Sequence, residues 1–222
     1  TGSANTALGF GSLGANTTAS NNVAVGAYTL DSNTTGTENV AVGYGALGVN
    51  TTANANVAVG IYSLDANTTG ATNAALGTHS LGTNTTGTAN TAVGNSALYA
   101  NTTASNNVAF GFNSLVGCTT GAQNCAIGAY AGANLTTGTY SLFIGFNNQP
   151  SAVGNNHEII IANGSNTGKG SSTGFISAGG GAMYQGNNGT AWTATSDRRI
   201  KKDIVPNTKG LAAIVQIEPK NF

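Results

Sequence analysis

Charge is nearly absent from this chain. Asp, Glu, Lys and Arg make up 6% of its 222 residues, about a quarter of the usual share, and no Lys or Arg precedes Lys169. A protein that grips phosphate needs Lys and Arg, so everything before Lys169 lacks an electrostatic hold on DNA, RNA or anionic lipid, which argues against nucleic acid as a partner. Long apolar runs are missing too. No stretch approaches the roughly 18 residues of a membrane span, and no basic-then-apolar leader opens the chain. The first residue is Thr1 rather than Met, as expected of an excised or processed piece. Proline occurs three times and cysteine twice. His79 and His157 stand isolated, Cys118 and Cys125 have no further Cys beside them, and no tetrahedral ligand spacing exists, so neither a metal nor a cofactor is expected.

What is present is glycine, 33 residues of it, with Asn, Thr and Ser supplying solubility. This composition suits disorder, but disordered tracts do not hold apolar residues in strict phase, and this chain does. "NTALG" begins at Asn5 and its relatives begin at Asn22, Asn39, Asn56, Asn73, Asn90, Asn107 and Asn124, with a degenerate ninth copy at Ser141. The interval never changes. The fifth position is Gly in all nine copies, from Gly9 and Gly26 to Gly145, which points to a positive φ or to a backbone approach too close for a Cβ. The residue before it is always apolar, a Leu follows four positions later from Leu13 to Leu115, and then comes a turn-like "NTT".

A 17-residue period is too short for helix-pair repeats, and Gly, Asn and Thr are poor helix formers. The expected fold is all-β: a parallel β-solenoid of nine coils over residues 1–149. Each coil is expected to hold a short strand such as "NVAVG", a corner at Gly, a second short strand around the Leu, and a polar turn. Coils stacked at about 4.8 Å place like residues above one another, with ladders of Val, Leu, Asn and Thr filling a narrow core. So thin a coil buries little on its own and leaves positions such as Ala24 unused, so association into a homotrimer is expected. Residues 150–195 leave the period. There "HEIIIANG" reads as a buried or interface strand, and the tract after it as strands broken by Gly-rich turns. From Asn207, Leu211, Ile214, Val215 and Ile217 predict a helix closed by Pro219, and a domain boundary falls at Ser196.

Over residues 5–148 the repeats resemble the head repeats of trimeric autotransporter adhesins, and more closely the arrays found upstream of tail-fibre chaperone domains. The adhesin unit is shorter than the one here. "SDRRIKKDI" with the following "GLAAIVQIEPKNF" resembles the start of the self-cleaving intramolecular chaperone domain of phage endosialidases and tail fibres. Ser196, Asp197, Lys201 and Ile204 fill its opening pattern, and Leu211, Pro219 and Phe222 its second. The resemblance implies that Ser196 is a nucleophile, with Asp197 flanking it and Lys201 as its base, and that cleavage beside Ser196 releases the chaperone once the trimer has folded. A partly desolvated Lys can serve a serine in that way. The alternative is a helix-capping Ser beside a solvated basic run. On the first reading the dense basic cluster marks the junction of a charge-poor fibre with a folding aid.

The aromatic residues Phe10, Tyr28, Tyr44, Tyr62, Phe112, Tyr130 and Phe146 all follow the repeated Gly by one or two positions. Tyr28 and Tyr62, like Asp31 and Asp65, recur two repeats apart, a two-coil duplication. Such a row could stack on host-surface sugars or pack against a neighbouring chain. Cys118 and Cys125 could form a clasp or remain thiols, and the "NTT" triplets are read as turn residues in preference to glycan acceptors.

Four functions follow. The first is a trimeric phage tail fibre, or a fibre of a related injection system, located on the extracellular particle; its partners are itself, other tail or fibre proteins and a host glycan or receptor. The second is a bacterial cell-surface adhesin. A glycan-degrading tail spike would need clustered carboxylates, yet only Asp31, Glu38, Asp65 and Glu158 precede Asp197. An ice-binding array of Thr is the fourth.

Overall fold

The computed structural model describes residues 2–178, 182–186 and 193–194. Ser196, Asp197, Lys201 and the helix expected from Asn207 lie outside them. Among the described residues there is no helix. A short strand recurs once in every repeat: β1 (Thr6–Leu8), β2 (Val23–Val25), β3 (Val40–Val42), β4 (Val57–Val59), β5 (Ala74–Leu76), β6 (Thr91–Val93), β7 (Val108–Phe110), β8 (Cys125–Ile127) and β9 (Leu142–Ile144). Then follow β10 (Ile159–Ala162), β11 (Gly174–Ser177), β12 (Ala182–Gln185) and β13 (Thr193–Ala194). Strands β1 to β11 pair in sequence order and in parallel, and β12 and β13 are added antiparallel. The register is one full repeat, Val23 against Val40 and Val25 against Val42. The chain is a parallel β-solenoid of about ten turns.

The stack outlasts the nine coils read from the repeat. Strand β10 pairs with β9 at the step of the earlier coils, Leu142 against Ile159, and β11 joins it at a slightly shorter one, Ile159 against Gly174. Parallel pairing thus crosses residues 149–150 without a break. The tenth turn escaped the repeat because its markers have eroded. Its ladder residue is Glu158 after Ser141, and Ala162 stands where the glycine was.

The interior differs from the expected one. From β2 to β8 the middle residue, Ala24, Ala41, Ala58 and their successors, is buried and shares the core with Leu30, Leu47, Leu64, Leu81, Leu98 and Leu115, all fully buried, whereas Ala7 of the first strand is exposed. The flanking Val residues point outward. A lumen this narrow takes one Leu and one Cβ per level, so the Ala positions are the core and the Val pairs are the surface, the reverse of the expectation. The second strand is also absent. Each Leu sits in the left-handed region, with φ between 48° and 53°, a conformation that costs about 1 kcal/mol and is offset by roughly 2 kcal/mol of side-chain burial. The turn aims the side chain inward, and Leu30 N–H still reaches Ala46 O of the next coil at 3.1 Å.

The glycine corner is as the repeat required. Gly60 has φ 137°, and a Cβ there would lie 2.5 Å from Gly77 O in the next coil.

The other half of the lumen is polar. Asn39 N–H donates to Asn22 Oδ1 at 2.9 Å, and this ladder runs to Ser141, whose N–H donates to Asn124 Oδ1. The "NTT" asparagines build a second ladder: Asn50 Nδ2 to Asn33 Oδ1, Asn67 to Asn50, Asn84 to Asn67 and Asn101 to Asn84. Both ladders converge on one inward carbonyl per coil. Gly36 O accepts from Asn22 Nδ2 and Asn33 Nδ2, each at 2.9 Å. Buried amides satisfied in this way lock one register. The second ladder stops at Cys118, which stands in the Asn column and donates its thiol to Gly121 O at 3.2 Å. As a result Asn101 Oδ1 is the one buried side-chain polar atom among the described residues without a partner. Leu135 follows in that column, Gly132 replaces the core Leu and Phe143 the core Ala, so the lumen turns apolar with its volume exchanged between facing positions.

Candidate recognition surface

Three outward features bear on function. The first is the aromatic row. Because the position two after the glycine is left-handed (Tyr28 φ 57°, Tyr62 φ 54°), the side chain there is thrown outward at a corner. Phe10, Tyr28, Tyr44 and Tyr62 form a continuous run of edge-to-face rings, with centroids 5.4, 5.7 and 5.3 Å apart. His79 stacks on Tyr62 at 5.5 Å and Tyr99 meets His79 edge-on at 6.0 Å. After the coil with Asn95 and Ser96 at these positions, Phe112, Tyr130 and Phe146 form a second run. Most of the rings remain accessible, from 75% for Phe10 to 38% for Tyr130, while Tyr62 and His79 are half-buried.

Sequence reasoning missed His79 and Tyr99. His79 was legible, since it stands two after Gly77; Tyr99 was not, because it reaches the row from five after Gly94, over the room left by Gly82. The two-coil duplication also has its physical cause here. The ring of Tyr28 lies over Gly11 and that of Tyr62 over Gly45, so coils with Tyr two after the repeated glycine alternate with coils that have Gly there and carry their ring, Phe10 or Tyr44, one position earlier. A hydrogen bond with Tyr44 raises the Tyr62 phenol pKa. Burial raises Asp65 against a smaller opposing pull from His79.

The second feature is the outward strand face, with two columns of apolar side chains along the stack. Exposure reaches 68% at Leu8, 51% at Leu76 and 57% at Phe110. At its far end Ile144, Ile161 and Ile176 line a shallow groove of about 360 Å³. The third is the Thr side. Thr34 Oγ1 donates to Thr51 O at 3.0 Å and the bond repeats coil by coil, while the next residue, Thr35 and its successors, is exposed.

The chemistry of turnover finds no assembly among the described residues. Asp31 and Asp65 are two coils apart, about 10 Å along the axis. Glu38 occupies another corner, and Glu158 is buried with its carboxylate accepting from Gly170 N–H, Ser151 N–H and Asn155 Nδ2. No group of three His, Cys, Asp or Glu there is placed to hold a metal ion. Cys118 and Cys125 are free thiols, one facing the lumen and one on the outward strand face. His157 stacks on Tyr140 at 4.9 Å, on a different corner from the main row. Compared with protein-family models, curated proteins and solved structures, the chain finds no match.

Proposed function

We propose that this chain is a structural and host-recognition segment of an extracellular fibre, of the phage tail-fibre or related injection-system kind. It is a homotrimer, matured by a C-terminal chaperone that is cut away beside Ser196. One observation carries the reading: a nearly uncharged column exposes an apolar strand face along its whole length and a row of aromatic rings along a corner. The first suits permanent association and the second suits contact with a surface.

The cleavage step rests on the resemblance of residues 196–222. Its test is the intact mass of the full-length product beside its Ser196→Ala variant. A loss starting at this serine in the parent alone supports the step, and equal masses remove it. For the fibre reading, light scattering should return three times the chain mass and electron microscopy a straight rod. Tyr28→Ala with Tyr62→Ala should weaken attachment to host cells while leaving the rod intact. A monomer with no affinity for any cell surface would defeat the reading.

A further inference from the structure

The outward strand face carries the next step. It comprises the first and third residues of β1 to β11, such as Val57 with Val59, and Ala74 with Leu76. No Asp, Glu, Lys or Arg occurs in these two columns. Eleven rungs extend it to roughly 50 Å. With two outward side chains on every rung but that of Gly174 it offers on the order of 1,000 Å², above the largest apolar patch of a typical monomer. Shared between two neighbours in a ring, each pair of copies buries about 1,000 Å² in total, at the lower bound of a specific interface. A face without charge has no repulsion against its own copy.

In four rungs the two columns also compensate. Where the first residue shrinks, the third stays large: Thr6 with Leu8, Ala74 with Leu76, Cys125 with Ile127, Gly174 with Ile176. Val23, Val40 and Val57 stand with Val, whereas Thr91 with Val93, Val108 with Phe110, Leu142 with Ile144 and Ile159 with Ile161 do not follow this pattern. Matching by rung is what the surface needs if the third column of one copy packs on the first column of another at the same height.

We propose that this face is the self-association surface, and that copies meet parallel and in register, each copy's first column against the next copy's third, as in a closed ring about the rod axis. This rests on the homotrimer reading above and assigns its interface. The assignment replaces the Ala positions, which are spent inside the lumen.

Cys125 is the native reporter. It lies in the first column of β8, partly accessible, whereas Cys118 is fully buried. In parallel register the Cys125 residues of neighbouring copies stand at one level. In an antiparallel pair overlapping along the whole face, the eighth rung meets the fourth, about 20 Å away. A short bismaleimide should therefore join full-length chains covalently through Cys125, and Cys125→Ser should abolish the product. Val57→Lys with Leu76→Lys should lower the mass by light scattering about threefold and keep the circular dichroism of the parent, because neither side chain enters the lumen. Thr86→Lys, on the Thr side, should leave the mass unchanged. Assembly that persists in the double variant overturns the face while leaving the homotrimer reading intact. A parent that is monomeric overturns both. Assembly through this face without a Cys125 cross-link overturns the parallel register. If the double variant loses its fold, Val108→Lys alone must still lower the mass for the proposal to hold.

Discussion

The Asn ladder ends at a known place, and that makes the cost of one substitution depend on where along the column it is made. Asn67 is in mid-ladder: its Nδ2 donates to Asn50 Oδ1 at 3.1 Å and Gly70 O at 2.9 Å, and its Oδ1 accepts from Asn84 Nδ2 at 2.8 Å. Replacing it with Leu, which the column holds at Leu135, strands Asn50 Oδ1 and one N–H of Asn84 in the lumen. Each stranded group costs about 1–3 kcal/mol, so Asn67→Leu should lose roughly 4 kcal/mol. Asn101 is the terminal member. It donates to Asn84 Oδ1 and Ala104 O, and its own Oδ1 is already unpartnered. Asn101→Leu removes one orphan and creates another at Asn84 Oδ1, so it should cost no more than about 1 kcal/mol. Any overpacking by Leu enters both variants alike, and the difference of about 3 kcal/mol isolates the hydrogen bonds. Urea unfolding followed by far-ultraviolet circular dichroism measures it, with native-state hydrogen exchange of the flanking coils as a check against partial unfolding of the stack. Equal losses at the two positions would refute the account of the ladder.

Three other consequences follow. Gly60→Ala puts a Cβ 2.5 Å from Gly77 O at φ 137° and should cost about 3 kcal/mol or more, read as a fall in melting temperature; an unchanged melting temperature would mean that the corner can relax. Phe143→Ala should lose about 3–5 kcal/mol, and adding Gly132→Leu should recover part of it, since Leu faces Ala in the earlier coils; strict additivity of the two changes would exclude direct packing between them. Burial raises the Cys118 thiol from its ordinary 9.0 to about 11. Below pH 9 both states hold the proton. Between about 9 and 11 the unfolded chain ionises first, so stability should fall with rising pH by roughly 2 kcal/mol more in the parent than in Cys118→Ala. Parallel curves for the two proteins would count against it.

Much of this was legible in the sequence because a fixed period is a statement about three dimensions. Residues one period apart that are alike can sit in like environments only if the chain returns to the same place at each step. The solenoid, the parallel register, the glycine corner and the polar "NTT" turn follow from that, as does the row of Phe10, Tyr28, Tyr44 and Tyr62. Repetition of type, however, does not say which side of the wall a residue occupies. "VAV" alternates whichever way it faces, and hydrophobicity alone put the larger Val inside.

The sequence by itself therefore determined the coil and its pitch, through Gly and Asn at fixed intervals. The tertiary structure decided the rest. It set Ala and Leu in the lumen and Val on the surface, turned the chain at each Leu where a strand was expected, carried the stack on to Glu158 and beyond, and ended the amide ladder at Cys118. The reason is volume: the narrow interior admits one Leu and one Cβ per level, a limit that exists only once the coil has closed.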